Sequence, residues 1–278
     1  MGIATPKHEY QDIAPKWQRM RDAVAGEDAI KARGGQYLPV PPGVDQARGE
    51  ADPAYINYLR RATYPDVVGP SIQGMVGLMS RKDTKIEMPG ALEYLREQAT
   101  PDGLVIEELL GRTRHEVLTT GRYILFVDAP EDGGDPWIAT YAAESLINWR
   151  SDGERITLLV FEETVREPKA DDPYVEDVVT QWREAAIDDE QYVVRVWRKF
   201  VSENGQVDYR IAEEATPTKR GETFDEVPAV IVGSRDLLPD PDALPLLGLV
   251  NKTLDYYRQA ADHRLGLFMS TQATPYAT

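Results

Sequence analysis

The residues with the clearest catalytic potential are two aspartates and a lysine in the first third of the chain. Pro65-Asp66 is followed by Asp83-Thr84-Lys85, and residues of these types hold a catalytic metal in many nucleases. Asp66 and Asp83 would bind a divalent cation, and Lys85 would steady the attacking water or the phosphate. Such a motif belongs on a pair of strands, whereas residues 67–79 have helical spacing. A metal-dependent nuclease is therefore an alternative hypothesis and not the leading one.

Histidine and cysteine chemistry is not indicated. His8, His115 and His263 lie in distant segments, and none is expected to share a helix face with a second ligand at metal-binding spacing. The chain contains no cysteine, which removes disulfides and thiol nucleophiles and favours a reducing cytoplasm. We expect no catalytic residue, no metal site and no cofactor.

Two further motifs are better explained by structure. "PEDGGD" at residues 130–135 lacks the spacing of acidic residues in an EF-hand loop, so it predicts a hairpin turn. Gly69, Gly74 and Gly77 are not followed by the Gly-Lys-Ser/Thr of a phosphate-binding loop. These glycines predict close helix packing instead.

The charge of the chain restricts its partners. A net charge of −16 argues against a protein whose whole surface binds nucleic acid, because that requires concentrated lysine and arginine. Residues 161–190 contain eleven acidic and three basic residues, a net −8, and predict a solvated excursion from the fold. No apolar run has the length of a signal peptide or of a membrane span, so we expect no membrane partner.

The first half of the sequence predicts helices. Asp52 and Pro53 form a capped helix start, Asp66 is expected to cap a second helix, and Gly121 ends a third. The apolar stripes of these helices are Tyr55, Leu59 and Ala62; Ile72, Met75, Val76 and Met79; and Ile106, Leu109, Leu110, Thr113 and Val117.

After Gly121 the apolar period changes to two, which predicts strands. "RYILFVD", "WIATYA", "LINWR", "RITLLVFEE" and "QYVVRVWRKFV" are β-branched and aromatic runs separated by turn residues, with Asn204-Gly205 at a hairpin turn and "VPAVIVG" as a later buried strand. Adjacent Glu162 and Glu163 are predicted to point to opposite faces of their strand. Helices, then a mostly antiparallel sheet, then a long helix indicate the α+β class.

The order of motifs resembles the portal proteins of tailed bacteriophages, in particular a portal-like group first catalogued as a domain of unknown function. The resemblance is carried by "YINYLRRATYPDVVGPSIQGMVGLMSRK", "LLGRTRHEVLTTGRYILFVDAP", "YAAESLINWR", "VPAVIVG" and "LPLLGLVNKTLDYYRQAADHRLGLFMSTQATP", which follow one another from about residue 52 onward. No single motif is diagnostic.

The resemblance implies a structural, non-enzymatic head-to-tail connector. Such subunits form a homo-oligomeric ring, usually dodecameric, at one capsid vertex of the virion, after assembly in the host cytoplasm. The terminase motor pumps double-stranded DNA through the ring without sequence specificity, and capsid and tail or adaptor proteins contact it. The resemblance divides the chain into an arm with one helix and a linker (1–51), a wing-like α+β domain (52–242), a stem-like helix (243–270) and the start of a clip-like segment (271–278).

The stem-like helix supplies the predicted site residues. Apolar residues recur there at spacings of three and four, too little chain follows to cover them, and a neighbouring copy is the expected partner. These interface candidates are Leu247, Val250, Leu254, Tyr257, Ala261, Leu265 and Phe268. Lys252, Arg258 and Arg264 are candidate contacts to DNA in the channel, with ion pairs between subunits as the alternative role. A non-enzymatic adaptor that binds another protein through this helix is a further alternative function.

Overall fold

The computed structural model of this chain describes residues 2–82, 84–130, 133–169, 172, 174–202 and 204–271. Contacts group the chain into two compact units. Unit 1 comprises Met1–Pro15 and Thr84–Ala243, and unit 2 comprises Lys16–Asp83 and Leu244–Thr278. Because each unit is built from two segments, this grouping does not test the linear boundaries after residues 51, 242 and 270, which stay predictions.

The chain belongs to the α+β class, as its pattern predicts. The α-helices are α1 (His8–Ala25), α2 (Glu27–Ala32), α3 (Pro53–Arg61), α4 (Val68–Met79), α5 (Ile106–Thr120) and α6 (Leu247–Ser270). The strands are β1 (Arg122–Asp128), β2 (Trp137–Ala142), β3 (Leu146–Asp152), β4 (Arg155–Pro168), β5 (Glu176–Asp188), β6 (Gln191–Val201), β7 (Val207–Ala215) and β8 (Ala229–Gly233). No helix in the described ranges is long and apolar enough to cross a membrane.

Local signals set two helix boundaries as predicted, and a third prediction is wrong. The Asp52 carboxylate accepts a hydrogen bond from the Ala54 N–H at 2.7 Å at the start of α3. Gly121 ends α5 in the left-handed conformation, at φ 73°. Asp66 does not cap α4. The Val67 N–H bonds to the Pro65 carbonyl at 2.9 Å in a tight turn, and the helix starts one residue later with Val67 at the N-cap and no side-chain cap.

The strands of unit 1 form two antiparallel sheets, where one was expected. Among the described residues, the small sheet has the order β2-β1-β8 and the large sheet the order β3-β4-β5-β6-β7. β3 pairs with β4 and not with β2, after a short 3₁₀ turn at Ala143–Ser145. Side chains of both sheets share one core, in which the Phe126 and Phe161 rings lie 6.0 Å apart, edge to face.

Residues 161–168 and 176–188 of the acidic segment belong to strands of the large sheet, so the predicted excursion from the fold is wrong. β4 and β5 pair from Leu158 opposite Ala186 to Pro168 opposite Glu176. Alternation along these long strands keeps many acidic side chains at the surface while Phe161 and Ala185 are buried. The charge run therefore marks a solvent-accessible hairpin of the sheet and not a segment outside the fold.

Unit 2 is helical and has an aromatic core. Trp17, Tyr55, Ile72 and Tyr257 have at most 1% of their surface exposed. The Tyr64 and Tyr257 rings meet edge to face at 5.9 Å, and burial raises the pKa of each phenol to about 12. These aromatic side chains fix α6 within its unit.

Candidate functional site

Most of the apolar stripe of α6 is covered by the chain itself. Val250, Leu254, Tyr257 and Ala261 are between 0% and 3% exposed. The prediction that this face is left uncovered is wrong over these turns. The cover comes from segments remote in sequence, including α3, and such long-range packing is not visible in the spacing of α6 alone.

A hydrogen bond between α3 and α6 reinforces this packing. The Tyr58 hydroxyl donates to Asp262 Oδ1 at 2.6 Å. Burial and this bond to a carboxylate raise the pKa of Tyr58. α6 is thus held in unit 2 by buried residues from Val250 to Ala261 and by the hydrogen bond to Asp262.

The remaining interface candidates are more accessible. Leu247 and Leu265 are half-buried, and Phe268 is 40% exposed. The Arg61 guanidinium lies over the Phe268 ring at 4.0 Å. Accessible apolar surface on α6 is therefore concentrated at its carboxy-terminal end, and the interface role of the stripe stays a prediction. Residues 272–278, expected to begin a clip-like segment, lie outside the described residues.

Two of the three predicted DNA contacts are engaged within unit 2. Arg258 donates from Nε to the Tyr37 carbonyl at 2.9 Å. Arg264 donates to the Arg61 carbonyl at 3.1 Å and to the Thr63 hydroxyl. Lys252 has 84% of its side chain exposed, against 40% for Arg258, and lies 4.0 Å from Asp255. A role of these cations in DNA contact stays a prediction, and Lys252 is the one best placed for it.

A small open pocket lies beside Arg258. Its volume is about 290 Å³, and it is lined by Arg19, Gln36, Tyr37, Asn251, Leu254, Asp255 and Arg258. Arg19 Nη1 donates to Asn251 Oδ1 at 2.9 Å, and Arg258 Nη1 lies 3.4 Å from Asp255 Oδ1. Two guanidinium groups and one carboxylate leave the pocket with a slight positive charge, so it can receive a single anionic group. Sequence reasoning found Arg258 but missed Arg19.

The Tyr37 side of that pocket is held by a buried carboxylate. Asp22 is 6% exposed and accepts bonds from Arg33 Nε at 2.9 Å, from the Tyr37 hydroxyl at 2.7 Å and from Gln18 at 2.9 Å. Burial and the bond to Asp22 raise the pKa of Tyr37. Because its partners satisfy it, Asp22 has a structural role.

Unit 1 contains an ion-pair centre that sequence reasoning missed. Arg183 bonds Glu163 at 2.9 Å and Asp128 at 3.0 Å, while the Tyr141 hydroxyl donates to Glu163 at 2.7 Å. Burial, with the adjacent Glu163, raises the pKa of Tyr141. Glu162 instead accepts from the Trp182 indole at 3.2 Å. The separate partners of the two glutamates accord with the prediction that they face opposite sides.

The ion pair lies at the edge of an open cleft of about 1120 Å³ in unit 1. Asp128 and Arg183 line it together with aromatic residues such as Trp137 and Phe224. The loop between β1 and β2, which contributes to the lining of the cleft, includes "PEDGGD". Residues 131 and 132 of this motif lie outside the described residues. The flanking strands pair as a hairpin, with Asp128 opposite Trp137, as predicted.

A second charged cluster in unit 1 surrounds a tryptophan. Arg122 is 1% exposed, its guanidinium lies 4.3 Å from the Trp149 ring, and Lys7 Nζ lies 4.6 Å from the same ring. Asp240 accepts from the Trp149 indole at 2.7 Å and from Lys7 at 3.3 Å. In the described part of the chain the three Arg122 guanidinium nitrogens have no hydrogen-bond partner, and burial lowers the pKa of Arg122 to about 9.

The nuclease hypothesis stays an alternative. Asp66 belongs to unit 2 and Lys85 to unit 1, Lys85 pairs with exposed Glu87, and Asp83 lies outside the described residues. The described residues contain no group of three or more histidines and acids that could hold a metal ion. One expectation about the histidines is wrong, since His8 Nδ1 lies 3.2 Å from Asp12 one helical turn away, although both side chains are exposed.

The glycines of α4 divide into two groups. A Cβ on Gly69 would lie 3.0 Å from the Val24 carbonyl oxygen, so this glycine permits the predicted close packing. Added at Gly74 or Gly77, it would meet nothing within 4 Å in the described residues. Close packing within the chain is therefore confirmed for Gly69 and wrong for the other two.

Comparisons with known proteins give likenesses in structure only. No protein-family model matches this chain, and no curated protein matches it. Among solved structures, a chain in the neck of an empty GTA particle computed with C6 symmetry is similar at 13% identity and a TM-score of 0.34. The match covers 76% of this chain and 44% of that chain, so this chain spans less than half of its neighbour's length. At these values the likeness assigns neither family nor function.

Proposed function

We propose that this chain is a structural subunit of a phage head-to-tail connector, and more specifically a portal subunit or its amino-terminal portion. The observation that carries the proposal is the order of elements. The motifs that resemble portal proteins fold as helices, then antiparallel sheets, then the 24-residue helix α6. This is the order in which a wing-like domain leads into a stem-like helix.

The charge of the chain suits a conduit for DNA. A net charge of −16 repels the phosphate backbone, and each phosphate contact that a channel makes adds a salt-dependent binding term. DNA slides most freely where such contacts are few. Arg258 and Arg264 donate hydrogen bonds to backbone carbonyls of unit 2, whereas Lys252, with 84% of its side chain exposed, is the first candidate for contact with DNA.

The proposal extends to location and partners. A ring of these chains would occupy one capsid vertex of the virion and contact the terminase motor, the capsid and the tail or adaptor proteins. It would act without a cofactor and without catalysis. Double-stranded DNA would pass through it without sequence-specific recognition.

Mass photometry and negative-stain microscopy of the intact gene product test this function. We expect closed rings with a central channel. A strict monomer at micromolar concentration would contradict the proposal. A defined complex with another protein in the absence of self-assembly would favour the adaptor hypothesis instead.

The nuclease hypothesis has its own assay. Plasmid DNA is incubated with the protein and Mg²⁺ or Mn²⁺, and the connector proposal predicts that the plasmid stays intact. Cleavage that disappears in Asp83→Ala would replace the connector by the metal-dependent nuclease.

A further inference from the structure

Two stretches of this acidic chain contain no charged residue over 14 positions, residues 67–80 and residues 265–278. They are the longest such runs in a sequence in which 28% of residues are charged. The first contains α4, and the second begins in the last turns of α6. Both runs belong to unit 2.

The second half of α4 is apolar but uncovered. Val68, Gly69 and Ile72 at its start are buried. Met75, Leu78 and Met79 are 38%, 73% and 54% exposed, and these three residues form what we call the α4 patch. A helix that is apolar around its circumference is normally buried, and exposed patches of this kind mark interaction sites.

The end of α6 also presents apolar side chains at the surface. Leu267, Phe268 and Met269 are 51%, 40% and 65% exposed, and they form what we call the α6 patch. The helices that carry the two patches are held by different contacts within unit 2. α4 packs at Gly69 against the Val24 backbone, and the Arg61 guanidinium lies over the Phe268 ring of α6.

We infer that the α4 patch of one copy packs against the α6 patch of the next copy. Copies that each carry −16 repel one another over most of their surface, so charge-free surfaces are where two copies can approach. Two different patches that pair head to tail give a heterologous contact, which generates a ring when the rotation between neighbouring copies closes. The inference rests on the proposed ring assembly and names its contact.

The glycines of α4 fit this partner. Gly74 and Gly77 have open space where a Cβ would lie, so they contribute no packing within the chain as described. Gly74 lies one helical turn before exposed Leu78 and Gly77 directly precedes it, so the two glycines leave a shallow surface beside Leu78 that another helix can approach closely. Methionine side chains on both patches adapt to irregular partner surfaces.

Cysteine cross-linking tests the contact directly, because the chain has no cysteine of its own. Leu78→Cys and Leu267→Cys variants of the intact gene product are oxidised separately and as an equimolar mixture, then analysed on non-reducing gels. A disulfide requires Cα atoms within about 7 Å. We expect several-fold more linked dimer in the mixture than in either variant alone. Val178→Cys, at a site 68% exposed on β5 against 73% for Leu78, mixed with Leu267→Cys is the matched control and should stay at background.

The cross-linking results differ if the α4 patch is covered by another α4 patch or by the α6 patch of the same chain. Linked dimers from Leu78→Cys alone would show an α4 to α4 contact and overturn the inference. In the double variant Leu78→Cys/Leu267→Cys, an internal disulfide in a monomer would show that the chain covers its own patch, with the same consequence. Mass photometry of the same samples separates the two proposals. Rings without the mixed disulfide refute this contact alone, whereas monomers without it refute the ring as well.

Discussion

At the scale of single residues, two arginines of unit 1, buried Arg122 and partly buried Arg183, are in opposite electrostatic situations. Arg183 lies between Glu163 and Asp128 at 2.9 and 3.0 Å. Arg122 has the face of Trp149 but no hydrogen-bond partner in the described residues. Its pKa of about 9 leaves it charged at neutral pH, so the folded state bears its desolvation penalty, which is several kcal/mol per buried ion.

This contrast predicts opposite results from one substitution. Arg122→Met keeps an apolar contact with Trp149 and removes the penalty, so we expect the free energy of unfolding to stay unchanged or rise by about 1–2 kcal/mol. Arg183→Met leaves two carboxylates without their cationic partner and should lower the free energy of unfolding by about 2–3 kcal/mol. This loss is smaller than for a fully buried pair because the site is partly exposed. Urea denaturation of both variants at pH 7 measures the difference. A loss at Arg122 as large as that at Arg183 would contradict this assignment.

At the scale of elements, the predictions that were confirmed depend on neighbours in sequence. The Asp52 cap, the end of α5 at Gly121 and the hairpin at residues 130–135 each follow from a few adjacent residues. The errors have both local and distant causes. A tight turn at Pro65 and Val67 replaces the Asp66 cap, and β3 pairs with the next strand, β4, to begin a second sheet instead of joining β2. The cover of the α6 stripe by α3 depends on partners far away in sequence. The α4 patch was detectable from sequence as a charge-free run, but only the structure shows that Leu78 and Met79 are uncovered.

Gly121 joins α5 to β1, and its backbone lies close to the backbone of Ala243 in the segment that precedes α6. Its φ is 73°, and a Cβ would lie 2.6 Å from the Ala243 carbonyl oxygen. Gly121→Ala should therefore lower the free energy of unfolding by about 2–4 kcal/mol, from backbone strain and overpacking together. Gly111→Ala within α5, where a Cβ meets nothing within 4 Å, is the control and should gain about 0.5–1 kcal/mol from helix propensity. Thermal unfolding of the two variants side by side tests this, and equal effects would rule out the special role of Gly121.

At the scale of the whole molecule, net charge and uncharged patches act against each other. Repulsion between copies at −16 is long-ranged and is screened by salt. Burial of the α4 and α6 patches is short-ranged, and screening does not weaken it. The balance between these two forces sets the ionic strength at which copies associate.

Salt should therefore strengthen self-association and weaken DNA binding. Raising NaCl from about 10 mM to about 1 M shortens the Debye length from about 30 Å to about 3 Å, so the Kd of self-association should fall. Any binding of double-stranded DNA should weaken over the same range, because it depends on counterion release. Analytical ultracentrifugation measures the first dependence and fluorescence anisotropy the second. Lys252→Ala should reduce the DNA salt slope by about one unit and leave self-association unchanged, since Lys252 lies outside both patches. If added salt instead dissociated the oligomers, ion pairs between copies would hold the ring and the uncharged patches would not.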